Sequence, residues 1–203
     1  MKRVLYVLAL AAASGIAVPT LAQPTDPTYR AVASGQAEVP PNASAGSSLA
    51  TIELNGSVLQ VDLPFRDLSG TSTVAHIHCC TADAFTGTAA VAVPFTDFPV
   101  GVRAGDYGAT FRLDEESTYA PAFLAANGGS VRGAYAALVE GINANEAYVN
   151  IHSALYPNGE IRGFLVAAPI PEPAEWAMLG AGLAGLLWLR RRSHEEESLG
   201  LNT

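Results

Sequence analysis

Three of the four histidines of this 203-residue chain lie in two short segments in which apolar and polar residues alternate. His76 and His78 are two residues apart, so in a β-strand they share one face, roughly 6.6 Å apart along the strand. His152 takes the matching place in the run 146–153, with Ile151 on the opposite face. Imidazoles at this spacing can reach one metal ion. The pattern therefore indicates a transition-metal site.

A carboxylate extends this set of candidate ligands. Residues 157–159, Pro-Asn-Gly, suit a three-residue hairpin loop. In the register that this loop sets, His152 pairs with Phe164 and Glu160 lies on the face of His152. A purely structural alternative stays open, in which the histidines hydrogen-bond across the sheet and Glu160 pairs with Arg162 or caps a loop.

Cys79 and Cys80 are the two cysteines of the chain, and they are neighbours in sequence. Adjacent cysteines cannot join distant strands, so the domain must be stabilised by its core. Four states of the pair stay open: a vicinal disulfide, a metal ligand, a buried pair of thiols and an intermolecular bridge.

Composition limits the partners and the chemistry. Residues 23–168 hold six arginines, no lysine and fourteen acidic residues. Because nucleic acid and anionic lipid both require a basic surface, we expect no nucleic-acid partner, and membrane contact only through the chain ends. No serine or cysteine lies in a glycine turn with an assigned base, so we do not expect an enzyme.

The elements that must position these residues are β-strands. Turn signals recur about every ten residues, which predicts an all-β fold: a single antiparallel, Greek-key-like β-sandwich with one or two short helices. Asn55-Gly56 predicts a hairpin, and Ser130 is the expected N-cap of a helix. The predicted strands are residues 29–39, 48–54, 57–65, 73–80, 88–93, 107–113, 146–153 and 160–166, and the predicted helices are 118–126 and 131–141.

The N-terminal end has the form of a secretory signal peptide. Basic residues at 2–3 precede the apolar run 4–18, and small residues end at Ala22. We expect residues 1–22 to form a signal helix that is cleaved after Ala22, leaving residues 23–168 as one domain.

The C-terminal end has the pattern of a second targeting segment. Pro171, Glu172 and Pro173 end a spacer at 169–173, and an apolar stretch at 176–189 leads to a basic cluster. That stretch spans about 21 Å as a helix, short of the roughly 30 Å of a bilayer core, which favours a transient sorting helix over a permanent anchor. The cluster is Arg190, Arg191 and Arg192, which closes the segment 174–192 before the acidic tail 193–203.

Four motifs of the central domain resemble one family. They are GQAEVPP at 35–41, VAHIH at 74–78, AYVNIH at 147–152 and PNGEIRG at 157–163. In this order they resemble the CHRD domain, first described in the extracellular protein chordin. The resemblance runs from about residue 29 to 166 and implies an extracytoplasmic β-sandwich.

The C-terminal segment resembles the PEP-CTERM sorting signal, with Pro171-Glu172-Pro173 as its motif. The resemblance implies recognition by an exosortase-type sorting enzyme, a transient stay in the inner membrane, and delivery to the surface or exopolymer matrix of a Gram-negative bacterium. Secretion machinery and exopolysaccharide or other matrix components are the implied partners.

Three hypotheses about function follow. The first is a secreted, non-enzymatic domain with a structural or adhesive role at the cell surface. The alternative is an extracytoplasmic metal-binding protein with His76, His78 and His152 as ligands, and with Glu160 or a cysteine nearby. An enzyme built on such a metal is a third, more distant hypothesis.

Overall fold

The computed structural model describes residues 27–169, 179–187 and 190. The chain forms two compact units, one of them Thr25–Ile170 and the other made of the two chain ends. All of the β-structure among the described residues belongs to Thr25–Ile170.

Nine strands of the described residues form one curled antiparallel sheet, which confirms the predicted all-β, sandwich-like fold. They are β1 (Thr28–Ser34), β2 (Ser47–Asn55), β3 (Val58–Arg66), β4 (Ser72–His78), β5 (Val91–Pro94), β6 (Gly105–Arg112), β7 (Tyr148–Ser153), β8 (Ile161–Phe164) and β9 (Val166–Ala167). Their order across the sheet is β5-β4-β7-β8-β1-β2-β3-β6, and β9 pairs with β1. The histidine strands β4 and β7 are therefore neighbours.

Strict alternation of burial explains why β2 and β3 pair as predicted. Every second side chain of each strand is buried in the core, and those between are mostly exposed. The turn between them follows Asn55, which pairs with Val58, and Gly56 takes a φ of +56°. The two turn residues are therefore Gly56 and Ser57, one position later than the predicted Asn55-Gly56, and glycine at the first turn position accommodates the positive φ. The predicted hairpin itself is confirmed.

Two short helices cover part of the core, in agreement with the prediction. Helix α1 (Pro121–Ala126) starts at a proline, which lacks the N–H that a first-turn residue cannot use. In helix α2 (Val131–Asn143) the Ser130 hydroxyl accepts a hydrogen bond from Gly133 N, so the predicted N-cap is confirmed. Two 3₁₀ turns, Gly35–Ala37 and Glu116–Thr118, complete the helical structure of this unit.

The predicted register of the last hairpin is wrong. Strands β7 and β8 pair Ile151 with Ile161 and Asn150 with Arg162, and the connection between them is the longer segment 154–160. The Glu160 N–H bonds the Ile151 carbonyl, which extends the pairing by one residue before the chain turns away. The register differs by an even number of residues, so the predicted division of side chains between the two faces remains correct.

The predicted targeting segments lie largely outside the described residues. Residues 179–187 are helical and exposed, as is Arg190. Among the described residues, no helix has both the length and the apolar character needed to cross a membrane. The predicted cleavage and sorting residues that fall outside the description are Ala22, Pro171, Glu172, Pro173, Arg191 and Arg192.

Candidate metal centre

The pairing of β4 with β7 brings the three predicted histidines to one face of the sheet. His76 lies opposite Asn150, and His152 lies opposite Val74. Because directly paired residues of antiparallel strands point to the same face, His76 and His152 are diagonal neighbours. Ile77 points the other way and is fully buried in the core, as the alternation predicts.

The three imidazoles are close enough to form one centre. One ring nitrogen from each of His76, His78 and His152 lies within 4.8 Å of the other two. The ring centroids are 5.1 Å apart for His76 and His152, 5.5 Å for His76 and His78, and 6.1 Å for His78 and His152. Nitrogens bound to one tetrahedral zinc ion are about 3.3 Å apart, so small side-chain movements would complete such a site.

Backbone carbonyls fix the proton positions on two of the rings. His78 Nδ1 lies 2.9 Å from the carbonyl oxygen of Ala89, and His152 Nδ1 lies 2.9 Å from that of Pro157. A carbonyl oxygen can only accept, so each Nδ1 carries the hydrogen and each neutral ring has its lone pair on Nε2. Both Nε2 atoms are buried without a hydrogen-bond partner. Metal-binding histidines commonly show this arrangement.

Burial keeps the rings of His76 and His78 neutral. The pKa of His76 is lowered to about 4, first by burial and then by the neighbouring charges of His152 and His78. Burial also lowers the pKa of His78, although the bond to Ala89 partly opposes this shift. Near neutral pH both rings are therefore unprotonated, which is the state that binds a metal.

A buried ion pair lies beside the histidines. Arg162 of β8 pairs with Asn150 of β7. It donates from Nε to Glu38 Oε2 at 2.8 Å and from Nη1 to the Gly87 carbonyl at 2.9 Å. Burial raises the pKa of Glu38, while the bond to Arg162 and its charge act in the opposite direction. Glu38 is not among the residues predicted from the sequence to form the site, although it is the one charged residue in the GQAEVPP motif.

Tyr148 links this ion pair to the histidine cluster. Its ring stacks on His78 with a centroid distance of 4.8 Å and an angle of 3° between the planes. The guanidinium carbon of Arg162 lies 4.8 Å from the same tyrosine ring, a cation–π distance. The Tyr148 hydroxyl also accepts a hydrogen bond from Ala89 N, next to the carbonyl that holds His78. These contacts restrict the orientation of the His78 ring.

The structure does not bring Glu160 into the group of three histidines. Its fully buried carboxylate accepts hydrogen bonds from the Ser44 hydroxyl at 2.5 Å, from Ser69 N, and from Gly70 N at 3.2 Å. These donors belong to two loops. Glu160 therefore caps loops in the structure, which is one of the structural roles that the sequence left open for it.

Cys79 and Cys80 form a vicinal disulfide and are also outside the histidine group. Their sulfur atoms lie against helix α2, near the Ala137 carbonyl and next to Gly141. Cys79 is buried and Cys80 is exposed. Of the four open states, the structure shows the disulfide.

These features define an all-β domain with a three-histidine cluster beside a buried ion pair. A family model described as the CHRD domain matches residues 29–165, well over half of the chain, and the chain therefore belongs to the CHRD domain family. Neither the curated proteins nor the solved structures gave a significant match.

Proposed function

We propose that this CHRD domain binds a transition-metal ion through His76, His78 and His152. The observation that carries the proposal is the pair of buried, unpartnered Nε2 atoms on His78 and His152, whose lone pairs are fixed by the Nδ1–H bonds to carbonyl oxygens. An unpaired buried acceptor is costly, and a bound cation removes that cost at several atoms at once.

The donor atoms favour a particular class of ion. Imidazole nitrogens suit Zn²⁺, Cu²⁺, Ni²⁺ and Co²⁺, whereas Ca²⁺ and Mg²⁺ require mostly oxygen ligands. Three protein nitrogens leave one position of a tetrahedral ion for a further ligand. The proposed role is binding, not catalysis, because neither a nucleophile nor a general base is assigned.

The proposed place of action is outside the cytoplasm. A signal peptide at 1–22 would export the chain, and an exosortase-type enzyme would recognise the segment from Pro171 to Arg192. The basic residues before an apolar run at the N-terminal end, and the apolar stretch before a basic cluster at the C-terminal end, support this route. A structural or adhesive role in the surface layer or matrix remains the second candidate, and the acidic, lysine-free domain supports it.

The metal proposal is tested on the full chain, stripped of metal and titrated with Zn²⁺ and Cu²⁺ in a calorimeter. We expect one ion per chain, and the variant His152→Ala should bind the metal more than ~100-fold more weakly. Such a loss is larger than the loss caused by removing a residue that only hydrogen-bonds to a metal ligand. His194→Ala is the matched control, because it removes the remaining histidine of the sequence. Wild-type protein without stoichiometric binding, or a His152→Ala variant equal to it, would refute the proposal.

The sorting proposal has a separate test. Deletion of residues 171–203 should change the cell fraction and the apparent size of the mature protein. If both remain the same as for the full-length chain, the C-terminal segment is not a sorting signal.

A further inference from the structure

Unpartnered buried polar atoms are concentrated around the histidine cluster. Among the described residues, six buried side-chain nitrogen or oxygen atoms lack a hydrogen-bond partner, and one of these is Ser48 Oγ. The other five belong to the three histidines and to two of their neighbours, Glu38 and Asn150. They are Glu38 Oε1, His76 Nδ1, His78 Nε2, Asn150 Oδ1 and His152 Nε2.

Four of these five atoms are hydrogen-bond acceptors. The two oxygens, from Glu38 and Asn150, can only accept hydrogen bonds, and the Nε2 atoms of His78 and His152 carry lone pairs. Each of these side chains is at least partly withdrawn from water, and Glu38 and Asn150 are 4% and 3% exposed. A group of acceptors without donors is matched by a ligand that is both cationic and a hydrogen-bond donor.

The geometry places Glu38 and Asn150 together. Asn150 is the cross-strand partner of His76 on one side and of Arg162 on the other. Arg162 occupies Oε2 of Glu38 and leaves Oε1 free. A β-carbon on Gly159 would lie 2.7 Å from Glu38 Oε1 and 2.8 Å from Asn150 Nδ2, so both side chains border the space that this glycine leaves open.

Glu38 is not itself within the group of mutually close ligand atoms. A metal held by three histidines needs a fourth ligand, and a water bound to a cation is a strong hydrogen-bond donor. We propose that a metal-bound water completes the site and donates hydrogen bonds to Glu38 Oε1 and Asn150 Oδ1. This inference rests on the proposed metal binding, and it makes Glu38 and Asn150 positioning residues.

The experiment measures how easily an anion displaces this water. The full chain loaded with Cu²⁺ is titrated with azide, and binding is followed by the azide-to-copper charge-transfer absorption. Glu38→Gln and Asn150→Ala each remove one acceptor, so the water is held less firmly and azide should bind roughly ten-fold more tightly, the value of one hydrogen bond to a charged group. Asn150→Ala changes no charge, so it separates the hydrogen bond from electrostatic attraction of the anion.

Asn127→Ala is the matched control, since Asn127 lies at the end of helix α1 and bonds the Phe123 carbonyl. It should leave azide affinity unchanged. Each variant is first compared with wild type by circular dichroism. Asn150→Ala decides the question alone if Glu38→Gln does not fold, and Asn150→Leu, which also removes the acceptor without a change of charge, replaces Asn150→Ala if that variant does not fold.

The outcomes separate the two proposals. If the wild type takes up no copper, the proposed function fails and this inference fails with it. If copper binds but azide affinity is unchanged in Glu38→Gln and Asn150→Ala, the water is not held as proposed, while metal binding stands. A loss of copper affinity of more than ~100-fold in Glu38→Gln would make Glu38 a direct ligand and overturn the inference.

Discussion

Arg162 Nε donates a hydrogen bond to Glu38 Oε2 at 2.8 Å and thereby joins two residues that are 124 positions apart in the sequence. The two side chains are only 3% and 4% exposed. The contact ties the segment after β1 to strand β8, and with them two of the four motifs of the CHRD domain. It also holds one oxygen of the carboxylate that we propose to accept a hydrogen bond from the metal-bound water.

Breaking this ion pair should destabilise the fold strongly. Arg162→Met leaves the Glu38 carboxylate buried without its partner. We expect the free energy of unfolding, measured in urea, to be about 3–5 kcal/mol lower than that of the wild type. Arg112→Met is the control, because it breaks the exposed pair with Asp114, and it should cause no measurable change. Equal effects of the two substitutions would contradict the assigned importance of burial.

The sequence was sufficient to predict which side chains share a face. Alternation with a period of two places His76 and His78 on one face of β4 and His152 on the polar face of β7, and the pairing of these two strands in the structure brings the three side chains together. The hairpin at Asn55 and the N-cap at Ser130 were predictable for a similar reason, because each depends on a few adjacent residues.

Contacts between distant segments could not be predicted in this way. The bond from Arg162 to Glu38 depends on which strands become neighbours, and nothing local indicates it. Glu160 was assigned to the histidine face by the predicted hairpin register, but the loop 154–160 is longer than turn chemistry suggested, and its carboxylate instead meets donors from Ser69 and Gly70. The alternation of residue types therefore predicts which face of the sheet a side chain lies on, but it does not predict which residues pair across two strands.

Glu160→Gln should reduce stability without affecting metal binding. The carboxylate accepts hydrogen bonds from three donors. In glutamine an NH2 group replaces one of the two oxygens, so it would place its own hydrogens against some of these donors. We expect a loss of about 1.5–3 kcal/mol in unfolding free energy and an unchanged zinc affinity in calorimetry. A weakening of zinc binding comparable to that of His152→Ala would instead make Glu160 a ligand.

The metal-free protein should lose stability on acidification because of His76. Its pKa in the fold is about 4, below the usual 6.5, so the unfolded chain binds this proton more readily. The contribution is complete above about pH 6.5 and is lost as the pH falls toward 4. Between pH 7 and pH 5 the free energy of unfolding in urea should fall by about 1 kcal/mol more for the wild type than for His76→Gln. This value is smaller than the pKa difference alone implies, because the ring is partly solvated. Identical pH profiles would contradict the lowered pKa.

Gly159 should tolerate no side chain, for two reasons. Its φ is +130°, and a β-carbon would lie 2.7 Å and 2.9 Å from the two oxygens of Glu38. We expect Gly159→Ala to cost about 2–4 kcal/mol, combining backbone strain with overpacking. Gly128→Ala is the control, because Gly128 has a φ of +80°, closer to the left-handed region that alanine can adopt, and no atom within 4 Å of the added carbon; it should cost only about 1 kcal/mol. Equal losses would contradict the predicted combination of strain and overpacking at Gly159.

Gly141 should be required by the disulfide and not by helix α2. A β-carbon there would overlap the sulfur atoms of both Cys79 and Cys80, so Gly141→Ala should destabilise the oxidised protein by about 1–3 kcal/mol. In a Cys79→Ala, Cys80→Ala background the overlap is absent, and the higher helix propensity of alanine should make the same substitution stabilising by up to about 1 kcal/mol. The sign of the effect therefore depends on the sulfur atoms, and urea unfolding of the four proteins under non-reducing conditions measures it. An equal loss in both backgrounds would mean that Gly141 is needed for another reason.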